Sequence, residues 1–262
     1  MSEKILEHQE ALELQNSRPC DKFRAEKFQK ETKKHWDLFY KRNETRFFKD
    51  RHWTTREFQE LIDRTEEQRV LIEVGCGVGN FVLPLLEESS NLFMYACDLS
   101  PRAVELLKGD SKYDDKRLHA FQCDITDDNC FDGEVPNESV DIASLIFVLS
   151  AVRPSLFQKV LSNISRILKP GGLLLFRDYA INDMAMYRFK HNSKIADRHY
   201  LRQDGTTTYF FEQDEMQRLA ENADFSLELQ EYVERRTVNK KEHIDVPRIF
   251  LQGKYRKKIM DG

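Results

Sequence analysis

Residues Glu73 to Asn80 read EVGCGVGN, with glycines alternating at 75, 77 and 79, behind the apolar run Val70–Val74 and ahead of Phe81-Val82-Leu83. An apolar run, a glycine-dense turn and a second apolar run predict strand, loop and helix. Alternating glycines let the backbone turn sharply while a bulky ligand lies against it with no Cβ in the way, so the first chemistry implied is a nucleotide-type pocket. Two carboxylates stand where such a ligand needs acceptors. Asp98 ends the run Phe93–Cys97 and could take both hydroxyls of a ribose; Asp124 ends Leu118–Cys123 and could accept from an adenine amino group. Either acid could instead cap the helix that follows its strand. Ile125, just after Asp124, and Ile146, near the end of a later apolar run, are candidate walls for the ligand's apolar parts.

The elements that must position these groups follow a doubly wound pattern. Val70–Val74, Phe93–Cys97, Leu118–Cys123, Val140–Phe147 and Leu173–Phe176 predict five strands, the fourth nearly all apolar as a central parallel strand requires. Helices are expected over Asn80–Glu88, from the Ser100-Pro101 cap to Lys108, and over Pro154–Leu168, where Lys169-Pro170-Gly171-Gly172 stops the chain. Ala180–Phe211 breaks the repeat, and RQDGTTTYFF within it predicts a strand or hairpin insertion. After a helix over Glu212–Ala223, Ser226–Val233 and Pro247–Leu251 predict an antiparallel pair closing an otherwise parallel sheet.

Ahead of this body lies a different composition. From Lys22 to Arg56 there are twelve Lys/Arg against five Asp/Glu, which leaves −11 on the remainder of a chain whose net charge is −4. A basic arm on an acidic body predicts a polyanionic partner at one end, or else a solvated helix face. Lys22–Tyr40 has helical spacing that puts Trp36 and Tyr40 on one face, where aromatics commonly serve only to dock a helix. Thr54-Thr55-Arg56-Glu57 has the form of a capping box, with Thr54 as the cap. Residues 1–21 are polar and are expected to be frayed or disordered; 22–65 form the basic aromatic segment and 66–262 the main domain, with the insertion at about 180–211. No secretory or mitochondrial leader is visible, and the longest apolar stretch, Leu145–Val152, is too short to cross a bilayer, so a soluble cytoplasmic protein, also nuclear, without membrane contact is expected. Five scattered cysteines and no Cys or His pairs at ligand spacing argue against disulfides and against a metal site.

The spacing E-x-G-x-G-x-G differs from the G-x-G-x-x-G of dinucleotide oxidoreductases and resembles motif I of class I S-adenosylmethionine-dependent methyltransferases. WDLFYKRN, FFKDRHWTTREF, LIFVLSAV, LLLFRDY, RQDGT-x-x-YFF and TVNKKE together resemble the methyltransferase-like tRNA 3-methylcytidine methyltransferases over roughly residues 30–251, and the FFKDRHWTTREF version is most similar to the branch acting on serine tRNAs. The resemblance implies a Rossmann-like α/β fold, with a mostly parallel seven-stranded sheet, helices on both faces and a helical basic N-terminal extension. It implies S-adenosylmethionine as cofactor and methylation of cytidine N3 at tRNA position 32. Seryl-tRNA synthetase is an implied partner of an enzyme expected to be monomeric.

Under that resemblance Trp36, Tyr40 and His52 touch the cofactor with Glu73, Gly75, Gly77, Asn80, Asp98, Asp124, Ile125 and Ile146. Lys33, Lys34, Lys41, Arg42, Lys49 and Arg51 face tRNA phosphates. A buried hydrogen-bonded histidine would account for His52 equally well. Cytosine N3 carries an in-plane lone pair, so attack needs no proton removed first; positioning and a carboxylate near the developing charge should suffice. Asp178 is the candidate carboxylate and Arg177 its orienting neighbour or a phosphate ligand, unless the two form a structural pair. N3 lies on the pairing edge, so the base must be splayed out, with Phe147 and Tyr179 to stack on it, although Phe147 has equal claim to be core. The alternatives are a methyltransferase acting on a small molecule or protein, which leaves the basic arm unexplained, and a non-catalytic RNA-binding relative.

Overall fold

A computed structural model of the chain describes residues 3–62, 67–239 and 244–259. Four helices come first: α1 (Glu3–Ser17), α2 (Lys22–Lys30), α3 (Thr32–Asn43) and α4 (Thr54–Glu57). The α/β body follows with β1 (Arg69–Val74), α5 (Val82–Glu88), β2 (Leu92–Asp98), α6 (Pro101–Lys108), β3 (Leu118–Gln122), β4 (Val140–Ile146), α7 (Phe157–Ile167) and β5 (Leu168–Tyr179). The insertion carries α8 (Met184–Tyr187), β6 (Lys194–Ala196), β7 (His199–Leu201) and β8 (Thr207–Tyr209). The chain closes with α9 (Gln213–Glu221), β9 (Phe225–Asn239) and β10 (Ile244–Lys257).

Seven strands form one sheet in the order β3-β2-β1-β4-β5-β10-β9, with β10 antiparallel to both β5 and β9 and the rest parallel. Leu71 to Val74 of β1 and Ile142 to Ile146 of β4 are buried without a break, because helices cover both faces of a parallel sheet. Alternate residues divide between two cores: Ile72, Val74 and Leu145 pack with Phe157 and Leu161 of α7, while Leu71, Met94 and Ile146 pack with Leu83 of α5 and Val104 of α6. Because the first strand has neighbours on both sides, the chain winds away from it in opposite directions. The crevice at the carboxyl ends of β1 and β4 is where open α/β sheets take ligands.

Ser100 caps α6 through its Ala103 N–H with Pro101 in the first turn, as its sequence implies. Elsewhere the structure departs from expectation. The helix expected over Lys22–Tyr40 breaks at Glu31 (φ −94°, ψ 17°), where Thr32 Oγ1 turns back to the Gln29 carbonyl at 2.8 Å. Trp53, not Thr54, holds the N-cap position of α4, and the hydroxyl of Thr54 donates to the Arg51 carbonyl. α7 ends at Ile167, as the breaker cluster implies, but Lys169 to Gly172 lie within β5 as a bulge instead of ahead of it, with Val140 paired to Leu168 and Ile142 to Leu173.

The opening segment, expected to be frayed, contains α1, anchored by buried Gln15, whose Nε2 donates to the carbonyls of Met186 (3.1 Å) and Phe189 (2.9 Å). The insertion itself is a three-stranded antiparallel sheet, β6-β7-β8, and the Ala180–Phe211 bridge closes its ends. At its turn Gly205 (φ +88°) packs so closely on α3 that a Cβ would stand 2.4 Å from His35 Nδ1. The arm and the insertion thus brace each other. The expected boundary at 65–66 and residues 240–242 of TVNKKE lie outside the described residues. Among the described residues no helix is long and apolar enough to cross a membrane, and no group of three or more metal-ligating side chains converges.

Candidate functional site

A cavity of about 710 Å³ opens over the carboxyl ends of β1, β2, β4 and β5, between the arm on one side and the insertion with the β9–β10 pair on the other. Its floor at one end is the glycine turn. Gly75 (φ +70°) and Gly77 (φ +54°) adopt the left-handed conformation that side chains disfavour. A Cβ at Gly75 would meet Val148 Cγ2 at 2.4 Å, and one at Gly77 would meet the Tyr40 hydroxyl at 2.8 Å. The turn is held from β2: the N–H groups of Gly75 and Cys76 donate to the Cys97 carbonyl, and Asp98 Oδ2 accepts from the Gly77 N–H at 2.9 Å. Asp98 Oδ1 accepts from the Ser100 N–H, also at 2.9 Å, in the turn ahead of α6, whose cap is Ser100 and not Asp98. Burial pushes its carboxyl up to about 6, against the pull of these N–H donors.

Trp36 and Tyr40 of α3 line the same end, with their ring centroids 6.2 Å apart. Asn80 ties the arm to the turn: its Nδ2 donates to Asp50 Oδ1 at 3.1 Å and its carbonyl accepts from the Arg51 N–H at 2.7 Å. Asp124 and Ile125 complete this half, Asp124 Oδ1 also bonding Thr126. A glycine cradle a Cβ would fill, a buried carboxylate beside it and an aromatic cover fit an adenosine-type cofactor.

Phe147, at the far end, follows β4 with φ +59°, uncommon for a bulky residue and of a kind that clusters at functional sites. Its N–H donates to the Arg177 carbonyl at 2.7 Å, and its ring packs on Tyr179 and Phe250. Asp178 is fully buried and does not line the cavity; its Oδ2 accepts from the Ser150 N–H (2.9 Å) and its Oδ1 from the Tyr179 N–H (2.8 Å), fastening two residues that do. Burial raises its carboxyl to about 6.

Several sequence-nominated residues stand elsewhere. His52 is exposed and pairs with Glu88 at 3.2 Å outside the cavity. Glu73 lies buried beneath the turn, 3.9 Å from Arg51, and burial lifts its carboxyl to about 8. Ile146 points into the core under the sheet's other face and offers only its carbonyl, which accepts from Arg51 Nη1 at 3.1 Å. Arg177 is buried away from the cavity, its guanidinium 4.2 Å from the Trp53 ring and 3.0 Å from Gln252 Oε1. Arg51, nominated for phosphates, turns inward and lines the cavity beside Phe147. Lys33 lines the cavity, whereas Lys34, Lys41, Arg42 and Lys49 stay on the arm outside it.

Arg153, Arg202, Arg248 and Val148 also line the cavity and were not nominated. Val148 had one available signal, its place two residues past a strand-four end opposite a glycine turn. Arg202 and Arg248 had none, since they meet only through the folded insertion and β10.

The strand order, the glycine turn after β1 and the acid ending β2 define a class I S-adenosylmethionine-dependent methyltransferase. The model of a methyltransferase domain family matches residues 42–230. At the level of fold alone, the chain is similar to an S-adenosylmethionine-dependent methyltransferase from Methanosarcina mazei (TM-score 0.57, 16% identity, 75% of this chain and 95% of that one). A Mesorhizobium loti enzyme of the same description gives TM-score 0.56 at 15% identity, covering 78% and 97%.

In sequence it is 54% identical over 242 residues to the tRNA N(3)-cytidine methyltransferase METTL6 of Rattus norvegicus, covering 91% of this chain and 84% of the relative. It is 42% identical to the tRNA N(3)-methylcytidine methyltransferase trm141 of Schizosaccharomyces pombe, covering 90% and 96%. The chain belongs to the tRNA N(3)-cytidine methyltransferase family.

Proposed function

We propose that the protein methylates N3 of cytidine 32 in the anticodon loop of tRNA, with serine tRNAs as substrates and seryl-tRNA synthetase as a partner. The observation that carries this reading is the continuity of one cavity from the glycine turn and Asp98 to Phe147 at the ends of β4 and β5, flanked by the basic arm. Asp98 would hold the ribose, Asp124 and Ile125 the adenine, and the Gly75–Gly77 turn with Trp36 and Tyr40 the remainder of S-adenosylmethionine. When bound, that cofactor supplies a methyl group on a sulfonium, an electrophile that a neutral ring nitrogen can attack directly.

The chain's own task is then alignment. N3 of neutral cytosine has an available lone pair, so no general base is required, and catalysis rests on holding the base in line and on tolerating the positive charge that forms on it. Phe147 offers a stacking face at the acceptor end. Asp178 acts by locking the Ser150 and Tyr179 backbones, two residues of the cavity wall. The serine-tRNA preference and the synthetase partner are supported by the FFKDRHWTTREF resemblance.

The reading is tested by incubating the protein with S-adenosylmethionine and unmodified tRNAs, with and without seryl-tRNA synthetase, and mapping the methylated nucleotide by fragment mass spectrometry. The expected product is 3-methylcytidine at position 32 of serine tRNAs; methylation at another base or position contradicts it.

A further inference from the structure

We infer that Arg202 and Arg248, arrayed on the ring of Tyr179, form a phosphodiester-binding subsite at the acceptor end of the cavity. The inference rests on the proposed reaction and adds to it what grips the nucleotide. The two arginines come from distant parts of the chain, one from the turn between β7 and β8 and the other from β10. Both guanidinium carbons nevertheless stand near the Tyr179 ring, at 5.3 Å and 5.5 Å from its centroid, and both side chains line the cavity.

Their other contacts leave donors available. Arg248 is anchored through Nε alone, at 3.0 Å and 2.9 Å from the two carboxylate oxygens of fully buried Asp183, which also accepts from the Ala185 and Ile249 N–H groups. No hydrogen bond among the described residues occupies its Nη groups. The Arg202 guanidinium has no hydrogen bond or ion pair among the described residues. A rigidly based guanidinium with free Nη atoms is the geometry that takes a phosphate oxygen pair.

The electrostatics point the same way. The reaction starts from a sulfonium and ends on a cationic ring, so Arg202, which has no ion pair among the described residues, beside an Arg248 whose charge is met only by Asp183 at Nε, leaves a net positive charge that would oppose both states. A ligand anion that bridges the two guanidiniums removes that opposition. The anion a polynucleotide brings with any extruded base is its flanking phosphodiester, which must follow the base into the mouth of the site. With two guanidiniums packed on it, Tyr179 serves as a platform for the arginines. This assignment also separates a nucleotide within a chain from free cytidine, which carries no phosphate to satisfy the pair.

The test is binding of a fluorescent anticodon stem–loop RNA to the full-length protein across a salt series, for Arg202→Gln, Arg248→Gln and Tyr179→Leu. Each arginine variant should weaken binding roughly tenfold at low salt and lower the slope of log affinity against log salt by about 1. Tyr179→Leu should lose comparably, and Tyr179→Phe, which keeps a ring under the arginines, should recover most of that loss. S-adenosylhomocysteine affinity should change less than twofold in the arginine variants, which separates lost RNA contact from misfolding. Replacing the two phosphates flanking the target cytidine with neutral methylphosphonates should weaken the wild type more than it weakens either arginine variant.

Wild-type RNA affinity and salt slope in both arginine variants, or equal losses of RNA and S-adenosylhomocysteine binding, would overturn the subsite. If instead the arginine effects appear while the wild type forms no 3-methylcytidine, the subsite stands and the reaction assignment fails.

Discussion

Replacing Asp98 by Asn separates cofactor binding from folding, because this residue serves both. Its two oxygens each accept a backbone N–H at 2.9 Å, from Gly77 and Ser100, within a buried site. Asn keeps one acceptor oxygen and sets an amide NH2 against the second donor, which then lacks a partner at a cost of about 1–3 kcal/mol. Against that, the buried carboxylate is held near 6 instead of 3.8, so its ionised form costs the fold roughly 3 kcal/mol that Asn does not incur. The two effects nearly offset, and the melting temperature should move by only a few degrees.

Binding has no such compensation. Two ribose hydroxyls donating to a carboxylate contribute about 1.5–3 kcal/mol each, and Asn can retain only one neutral bond of about 1 kcal/mol. The net loss of roughly 2–5 kcal/mol corresponds to a dissociation constant for S-adenosylhomocysteine raised about 30- to 5,000-fold. Isothermal titration calorimetry measures it directly. The wild type should also lose affinity as pH falls through about 6, where Asp98 takes up its proton, while Asp98→Asn stays flat there. A change below threefold, or the same pH dependence in both proteins, would refute the ribose assignment.

Two further outcomes follow from the buried groups around the site. Trp53→Ala removes the face on which the Arg177 guanidinium lies at 4.2 Å and should destabilise the fold by about 2–4 kcal/mol, lowering the melting temperature by several degrees; an unchanged melting curve would show that this stack holds nothing. Glu73, Asp98 and Asp178 all titrate higher in the folded chain than their ordinary values, near 8, 6 and 6. The stability tied to their neutral forms is complete below about pH 4 and is lost as pH rises through 6 to 8. Glu73→Gln, which cannot ionise, should therefore gain stability relative to the wild type as pH rises from about 4.5 to about 8, by up to roughly 5 kcal/mol in urea unfolding. A difference independent of pH would mean that Glu73 is already neutral or already paired throughout.

The sheet and the donor half of the site were legible because each depends on local signals. Continuous apolar runs such as Leu71–Val74 and Ile142–Ile146 mark strands buried on both faces, and the alternating glycines and the acid ending β2 sit at fixed positions on the edge of that sheet. What escaped depends on contacts between distant segments. Gln15 fixes α1 by bonding carbonyls more than 170 residues away, which no reading of a polar helix could supply. The capping box at Thr54 gave way because Glu57 is drawn to Arg235 and Gln252 instead of its own helix terminus. Arg51 and His52 are neighbours in an irregular segment, where no periodicity says that the first turns into the cavity and the second to solvent. Arg202 and Arg248 look like ordinary surface cations until the insertion and β10 bring them to one tyrosine ring.

The central claim, a cavity that joins methyl donor to cytosine N3, is met most directly by nucleoside analysis of tRNA treated with the purified protein, seryl-tRNA synthetase and methyl-labelled S-adenosylmethionine. The account predicts label in 3-methylcytidine, abolished by Asp98→Ala. Label in 5-methylcytidine, in another base, or in no nucleoside at all would contradict it.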